Sequence, residues 1–170
     1  MKKLFCLIGT LVILIPFALI AQDFTYIGAG KCKICHKTEK QGKQHPIWEE
    51  SKHSKAFQTL STPAAAEQAK EKGLTNAAES AECLKCHAPL FEKAAELNAE
   101  GVTCEACHGP GSAYNKLSIM KSREESVNNG LIAYDSDDAI KKQCLTCHDA
   151  EKFDFNAAWE KIKHPVPEKS

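Results

Sequence analysis

The chain has 170 residues with 22 basic and 22 acidic side chains, enough for one domain and without the basic field that nucleic-acid binding needs. A charged fraction of 26% and a mean hydropathy of -0.36 exclude a polytopic membrane protein. Nine Cys and seven His stand beside only two Met, two Trp and 7% aromatics. Such an interior needs something other than large apolar side chains to fill and staple it.

The N-terminus, Met1-Lys2-Lys3 followed by the uncharged run Leu4 to Ile20, has the plan of a secretory signal peptide. Cleavage near Ala21 is expected; the alternative is a retained N-terminal anchor, with Pro16 inside a run at the short edge for a membrane span. Cys6, inside the run, reads as a small hydrophobe. Residues 1–21 are therefore set apart from a domain over 22–170. That domain keeps 149 residues, eight Cys, all seven His and one Met, with 20 positive against 22 negative side chains.

From there the predicted elements run in chain order. Cys32-Lys-Ile-Cys35-His36 comes first, flanked by Lys31 and Lys33, which read as a solvated, partner-facing pair. His45 precedes Pro46 at a helix start and reads as a loop residue. Ile47 to Leu60 reads as a helix with Trp48, Phe57 and Leu60 near one face, and His53 among its charges. Thr62-Pro63 is a cap and first-turn pair opening an Ala-rich helix that stops at Gly73. Cys83-Leu-Lys-Cys86-His87 follows, then a helix over Leu90 to Glu100 stopped by Gly101. Next is Cys104-Glu-Ala-Cys107-His108, running into the sharp turn His108-Gly109-Pro110-Gly111. Ser122 and Glu125 form a capping box, with Gly130 closing that helix. Asp137 to Cys144 leads into Cys144-Leu-Thr-Cys147-His148. Asp154 caps a helix over Phe155 to Lys163, which Pro165 ends at His164. Strand patterns are nearly absent. The 46, 16 and 35 residues between successive motifs give no fixed period, so this is no solenoid.

The four C-x-x-C-H segments carry the chemistry. C-x-x-C-H is the attachment signature of c-type haem. Two thiols one helical turn apart can each add to one vinyl group of the same porphyrin, and the next residue, His, can then ligate the iron. Zinc sites of four thiolates would use C-x-x-C pairs but would not require a His after each. Disulfides would not place those His either, and thioredoxin-like pairs come singly beside a βαβ pattern. Four covalent haem c groups are expected, on Cys32/Cys35, Cys83/Cys86, Cys104/Cys107 and Cys144/Cys147, with His36, His87, His108 and His148 as proximal iron ligands. Four flat apolar cofactors also account for the thin complement of large side chains. Tyr26 and Tyr114 are expected to pack on them.

Four irons have eight axial positions. Beyond the proximal four, the domain offers His45, His53, His164 and Met120. Each has an ordinary alternative: a surface His, a helix-end His complementing the dipole, a packing Met.

The segments YIGAGKCKICH, WEESKHSKAF, CEACHGPG and WEKIKHPVP, with the four-motif layout, resemble the cytochrome c-554 family over about residues 25–167. The resemblance implies a mainly α fold with extensive irregular loops, a compact multihaem cytochrome wrapped around stacked c-type haems. It implies His53 as the distal ligand of the fourth haem and His164 as that of the third. The family pattern also has a distal His soon after the H-G-P-G turn, serving the first haem. Here that stretch is SAYNKLSIMK and has none, so Met120 or His45 substitutes, or the first haem is open. The second haem is implied to lack a strong distal ligand. At least one five-coordinate or weakly ligated iron is expected.

The expected function is an exported, periplasmic electron carrier between respiratory redox partners, such as a quinol-oxidising complex or other cytochromes. It would meet the membrane only through partners or an uncleaved N-terminal helix. The alternatives are a haem redox enzyme acting on nitric oxide, hydroxylamine or nitrite at a five-coordinate haem, and a wire segment of a larger membrane complex.

Overall fold

The structure, a computed structural model, describes residues 23–165. The apolar leader, Cys6 and the cleavage point near Ala21 lie outside the described residues.

Among the described residues, ten short helices are joined by long irregular connections: α1 Ala29–Lys33, α2 Gln44–Glu50, α3 Ala56–Thr59, α4 Pro63–Glu71, α5 Ala81–His87, α6 Cys104–His108, α7 Leu117–Met120, α8 Arg123–Asn128, α9 Asp137–Cys144 and α10 Phe155–Ile162. Three 3₁₀ turns, Glu39–Gln41, Ala77–Glu79 and Ala95–Glu100, punctuate them. Among the described residues there is no strand, and no helix is long and apolar enough to cross a membrane. The longest of these helices, α4, has nine residues. Helices so short do not persist alone in water, so tertiary contacts must hold them.

Local sequence explains most of the boundaries. Thr62 caps α4, its hydroxyl accepting from the Ala65 N–H at 3.3 Å, with Pro63 at the first position. Ser136 caps α9 and Asp154 caps α10 in the same way, through the Ala139 and Ala157 N–H groups. Four expectations need correction. The helix read over Ile47 to Leu60 is broken: α2 ends at Glu50 and α3 begins at Ala56. Ser51 and Ser54 hydroxyls donate back to the carbonyls of Trp48 and Glu49, offering the backbone an alternative to the helical ladder. The Leu90–Glu100 helix shrinks to turns and a 3₁₀ segment starting at Ala95. The capping box is half formed: Ser122 accepts from the Glu125 N–H, but its own N–H donates to the Ile119 carbonyl. His45 is no loop residue but sits in the first turn of α2, with 4% of its surface exposed.

The interior is thin. Its buried apolar residues are Ala29, Leu60, Ala69, Ala77, Leu84, Ala88, Leu90, Ala94 and Tyr114, five of them Ala. Leu60, Ala69, Ala77, Leu84 and Ala88 form one cluster, with Phe57, Leu74 and Phe91 packed against it. The largest fully buried side chains are polar: Glu105, Thr103 and Ser126. Glu105 accepts from the backbone N–H groups of Ile27, Gly28 and Gly111, at 2.6–3.0 Å. Glu100 accepts from the Ala29 N–H and the Thr103 hydroxyl. These two carboxylates clamp the extended segment before α1 onto α6 and the His108–Gly111 turn.

Candidate haem-binding site

Each motif winds as one helical turn. In the first, the N–H groups of Cys35 and His36 both donate to the Cys32 carbonyl; in the fourth, those of Cys147 and His148 donate to the Cys144 carbonyl. The second and third lie within α5 and α6. All eight thiols are unbridged. Among the described residues no three His, Cys, Asp or Glu side chains converge on one point as a metal cage.

The motifs pack in an order different from their order in sequence. The Cys32 thiol lies beside that of Cys104 and α1 packs on α6, so the first motif meets the third. The Gln143 amide, at the end of α9, donates to the Ala106 carbonyl at 3.3 Å, so the third meets the approach to the fourth. Cys147 reaches the Lys85 carbonyl at 3.7 Å and lines one cavity with Cys86, so the fourth meets the second. The spatial sequence is first, third, fourth, second.

The four motif imidazoles sit in distinct settings. His36 Nδ1 lies 3.1 Å from Gln44 Oε1. His87 Nδ1 lies 2.9 Å from the Ala56 carbonyl and 3.1 Å from the Thr59 hydroxyl. A carbonyl only accepts, so His87 Nδ1 carries the proton and Nε2 keeps its lone pair. His108 faces His164 across 5.8 Å between ring centroids, and His148 faces His53 across 6.2 Å. His148 also stacks on Phe153 at 4.4 Å. Burial, then the nearby His164 and His36, push His108 down to about 4, which keeps its ring neutral and able to donate a lone pair. Burial lowers His53, His164 and His45 as well.

Of the remaining candidates, His45 lies edge-on to Trp48 at 5.3 Å. Its buried Nδ1 has no hydrogen-bond partner, the nearest carboxylate oxygen, on Glu49, being 3.9 Å away. Met120 ends α7, which packs on α8. Tyr114 is buried and donates to the Gly109 carbonyl at 3.0 Å. His53 sits in the turn between α2 and α3, fixed through Val102: the Val102 N–H donates to the His53 carbonyl, and the Trp48 indole donates to the Val102 carbonyl at 2.8 Å.

A cavity of about 550 Å³ opens beside the second motif, lined by Cys83, Cys86, His87 and, from the fourth motif, Cys147. The α4 residues Ala64, Ala65, Gln68 and Ala69 supply much of the rest, and no second imidazole or thioether stands among the lining residues.

These observations fit haem c. An iron between two imidazoles, bonded at about 2 Å to each, needs ring centroids roughly 6 Å apart. His108/His164 and His148/His53 have that spacing. His164 Nδ1 is buried without a hydrogen-bond partner. The cavity has the size of pockets that take cofactors, about 300–1,000 Å³. The mostly Ala interior leaves apolar contact for a large flat group to supply.

Sequence reading missed Gln44, Glu105, Gln143 and Phe153. Glu105 lies between the two Cys of the third motif, a position that carries no attachment chemistry, and nothing in the sequence marks it as buried. Gln44 stands one residue before a candidate ligand, and only the fold brings it to His36.

A family model described as "Cytochrome c554 and c-prime" matches residues 31–109, which hold the first three motifs. Cytochrome c-554 of Nitrosomonas europaea is 27% identical over 146 residues, a match covering 76% of this chain and 60% of that protein. The chain thus matches less than two thirds of that relative's length. No solved structure matches.

Proposed function

We propose, from the chain's similarity to cytochrome c-554 and to that family's model over residues 31–109, that it belongs to this family and is an exported tetrahaem c-type cytochrome carrying electrons between respiratory redox partners. The observation that carries the reading is the contiguous packing of four C-x-x-C-H turns, with imidazole pairs at 5.8 and 6.2 Å. Each thiol pair would anchor one haem and the following His would hold its iron. Bound haem c supplies reversible one-electron chemistry, its potential set by axial ligands, burial and nearby charge.

The protein's residues then have definite tasks. His164 serves the third centre and His53 the fourth. For the first, the reading keeps both His45 and Met120, with the buried, unpartnered Nδ1 of His45 in its favour. Neutral imidazoles in dry surroundings give stable low-spin ligation, which favours low potentials. The packing order first–third–fourth–second gives a continuous path through the chain. At its first end Lys31 and Lys33 are exposed and Ile34 is 67% exposed, a surface suited to docking a redox protein with an acidic face. Quinol-oxidising complexes and other cytochromes are the proposed partners. Export rests on the basic, then apolar, N-terminus, and makes the periplasm the working compartment.

The test is mass spectrometry of the native protein from a host competent in cytochrome maturation, with oxidised and reduced spectra. Four haem additions, one on each Cys pair, are expected. A colourless protein, or zinc on those thiols, overturns the reading.

One observation favours a second reading, an enzyme acting on nitric oxide, hydroxylamine or nitrite at the second centre: the cavity there offers His87 but no other imidazole or thioether. Rapid nitric oxide binding with turnover supports it. Four low-spin haems that bind no added ligand remove it.

A further inference from the structure

One side chain touches two of these centres. The Pro165 carbonyl, next in chain to His164, accepts from Gln44 Nε2 at 2.9 Å. A carbonyl only accepts, so the amide nitrogen must face it, and Oε1 is left facing His36 Nδ1 at 3.1 Å. An amide oxygen also only accepts. His36 Nδ1 therefore carries the proton, and Nε2 keeps its lone pair. A bond to an acceptor that cannot donate, the Pro165 carbonyl, thus sets the tautomer of the first motif's imidazole.

The backbone is shaped for this. Gly42 has φ +91°, and a Cβ there would lie 2.5 Å from the Pro165 oxygen and 2.7 Å from Gln44 Nε2. Lys43 has φ +51°, the one non-glycine residue with positive φ among the described residues. Left-handed geometry strains a side chain that has a Cβ, and such strain persists only where surrounding contacts hold it. Here the His45 N–H donates to the His36 carbonyl at 2.9 Å and the Lys43 N–H to the Thr38 carbonyl at 3.0 Å, closing the loop that aims Gln44.

We propose that Gln44 is a positioning residue shared by the first and third haem centres: it fixes the tautomer and plane of His36 and, through Pro165, tethers the backbone that presents His164. The inference rests on the haem reading above. It adds a mechanical and electronic link between two centres that the ligand set alone does not provide. An acceptor on Nδ1–H raises the basicity of the imidazole toward its metal, and a stronger acceptor raises it further.

The test uses the holoprotein with Gln44→Leu and Gln44→Glu. Leucine removes both bonds at similar size. Glutamate keeps an acceptor for His36, now charged, and loses the donor to Pro165. Potentials are followed centre by centre by redox titration with NMR-resolved haem methyls, and hydrogen exchange is followed over residues 155–164. The first centre's potential is expected to rise in the Leu variant and fall in the Glu variant, while exchange over 155–164 speeds up severalfold in both. A purely structural side chain would move the first potential the same way in both variants, and that result overturns the proposal. So does exchange over 155–164 at the wild-type rate. Gly42→Ala, which leaves Gln44 in place but blocks the approach of Pro165, is expected to loosen 155–164 as well. Haem mass on Cys32/Cys35 in the wild type separates the two failures: its absence sinks the haem reading, whereas its presence with unmoved potentials sinks the Gln44 assignment alone.

Discussion

The surroundings of the first and third motifs differ in kind from those of the second. Around the first and third, the groups that hold the chain are carboxylates and hydroxyls: buried Glu105 takes three backbone N–H groups, half-buried Glu100 takes the Ala29 N–H and the Thr103 hydroxyl, and Tyr114 closes on Gly109. Around the second, they are Leu60, Ala69, Ala77, Leu84 and Ala88, small apolar side chains beside a cavity. Hydrogen bonds are directional and fix irregular backbone at defined distances, whereas apolar contact is not directional and tolerates an open wall. The polar region carries the facing imidazole pair His108/His164. The apolar region presents His87 alone. The division sets a hydrogen-bonded frame around the His108/His164 pair on one side against an open wall beside His87 on the other.

The largest effect is expected where the polar region is cut. Glu105→Leu leaves the N–H groups of Ile27, Gly28 and Gly111 without an acceptor at a site only 2% exposed. Denaturant unfolding of the holoprotein should show a loss of about 3–5 kcal/mol, since each unsatisfied buried donor costs roughly 1–3. A loss below about 1 kcal/mol would mean that the segment before α1 is held by something other than this carboxylate. The matching cut in the apolar region is Leu84→Ala, which removes a buried side chain that is 6% exposed and should cost about 2–4 kcal/mol. The spectrum of the second centre should change in this variant and those of the first and third should not. If all centres respond alike, the two regions are one cooperative unit and the contrast between them fails.

Legibility in the sequence divides along the same line. The attachment motifs were readable because their spacing is dictated by covalent chemistry. The helices α4 and α10 were readable because Thr62 and Asp154 cap their starts, whereas the capping role of Ser136 at α9 emerges only from the fold. The polar clamp was not, because Glu105 and Gln44 act on partners 77 and 121 residues away, at Gly28 and Pro165. No local pattern announces a carboxylate whose acceptors are filled by distant backbone. His45 was misread for a related reason. A His before Pro suggests a loop, but Pro is tolerated in a first helical turn, and Trp48 and the His36 carbonyl cover the residue. The break at Ser51 was missed because periodicity ran on through it while the serine hydroxyls took the carbonyls.

Gly101→Ala should act more weakly than either cut. Gly101 has φ +67°, and a Cβ there would lie 2.5 Å from the His53 carbonyl oxygen and 3.1 Å from the Ala56 nitrogen. Strain and displacement together should cost about 1–3 kcal/mol. The more telling readout is spectroscopic. His53 faces His148, so a displaced His53 should convert the fourth centre partly from low to high spin, read by electron paramagnetic resonance. A stability loss with an unaltered fourth centre would detach His53 from that iron.

The smallest effect gives the finest comparison. Asp154 and Thr62 cap helices on the two sides of the divide, each accepting one backbone N–H, at 3.0 and 3.3 Å. Replacing either with Ala should cost about 1 kcal/mol. Their consequences should differ even though their energies match. Loosening α10 moves the segment that ends in His164, so Asp154→Ala should broaden the signals of the third centre and speed exchange over 155–164. Loosening α4 moves a wall of the cavity beside His87, so Thr62→Ala should leave the third centre sharp and quicken entry of a small ligand such as cyanide at the second. Equal stability losses with the same response at both centres would mean that the helices report only on global unfolding. Two separate responses would tie each helix to its own haem.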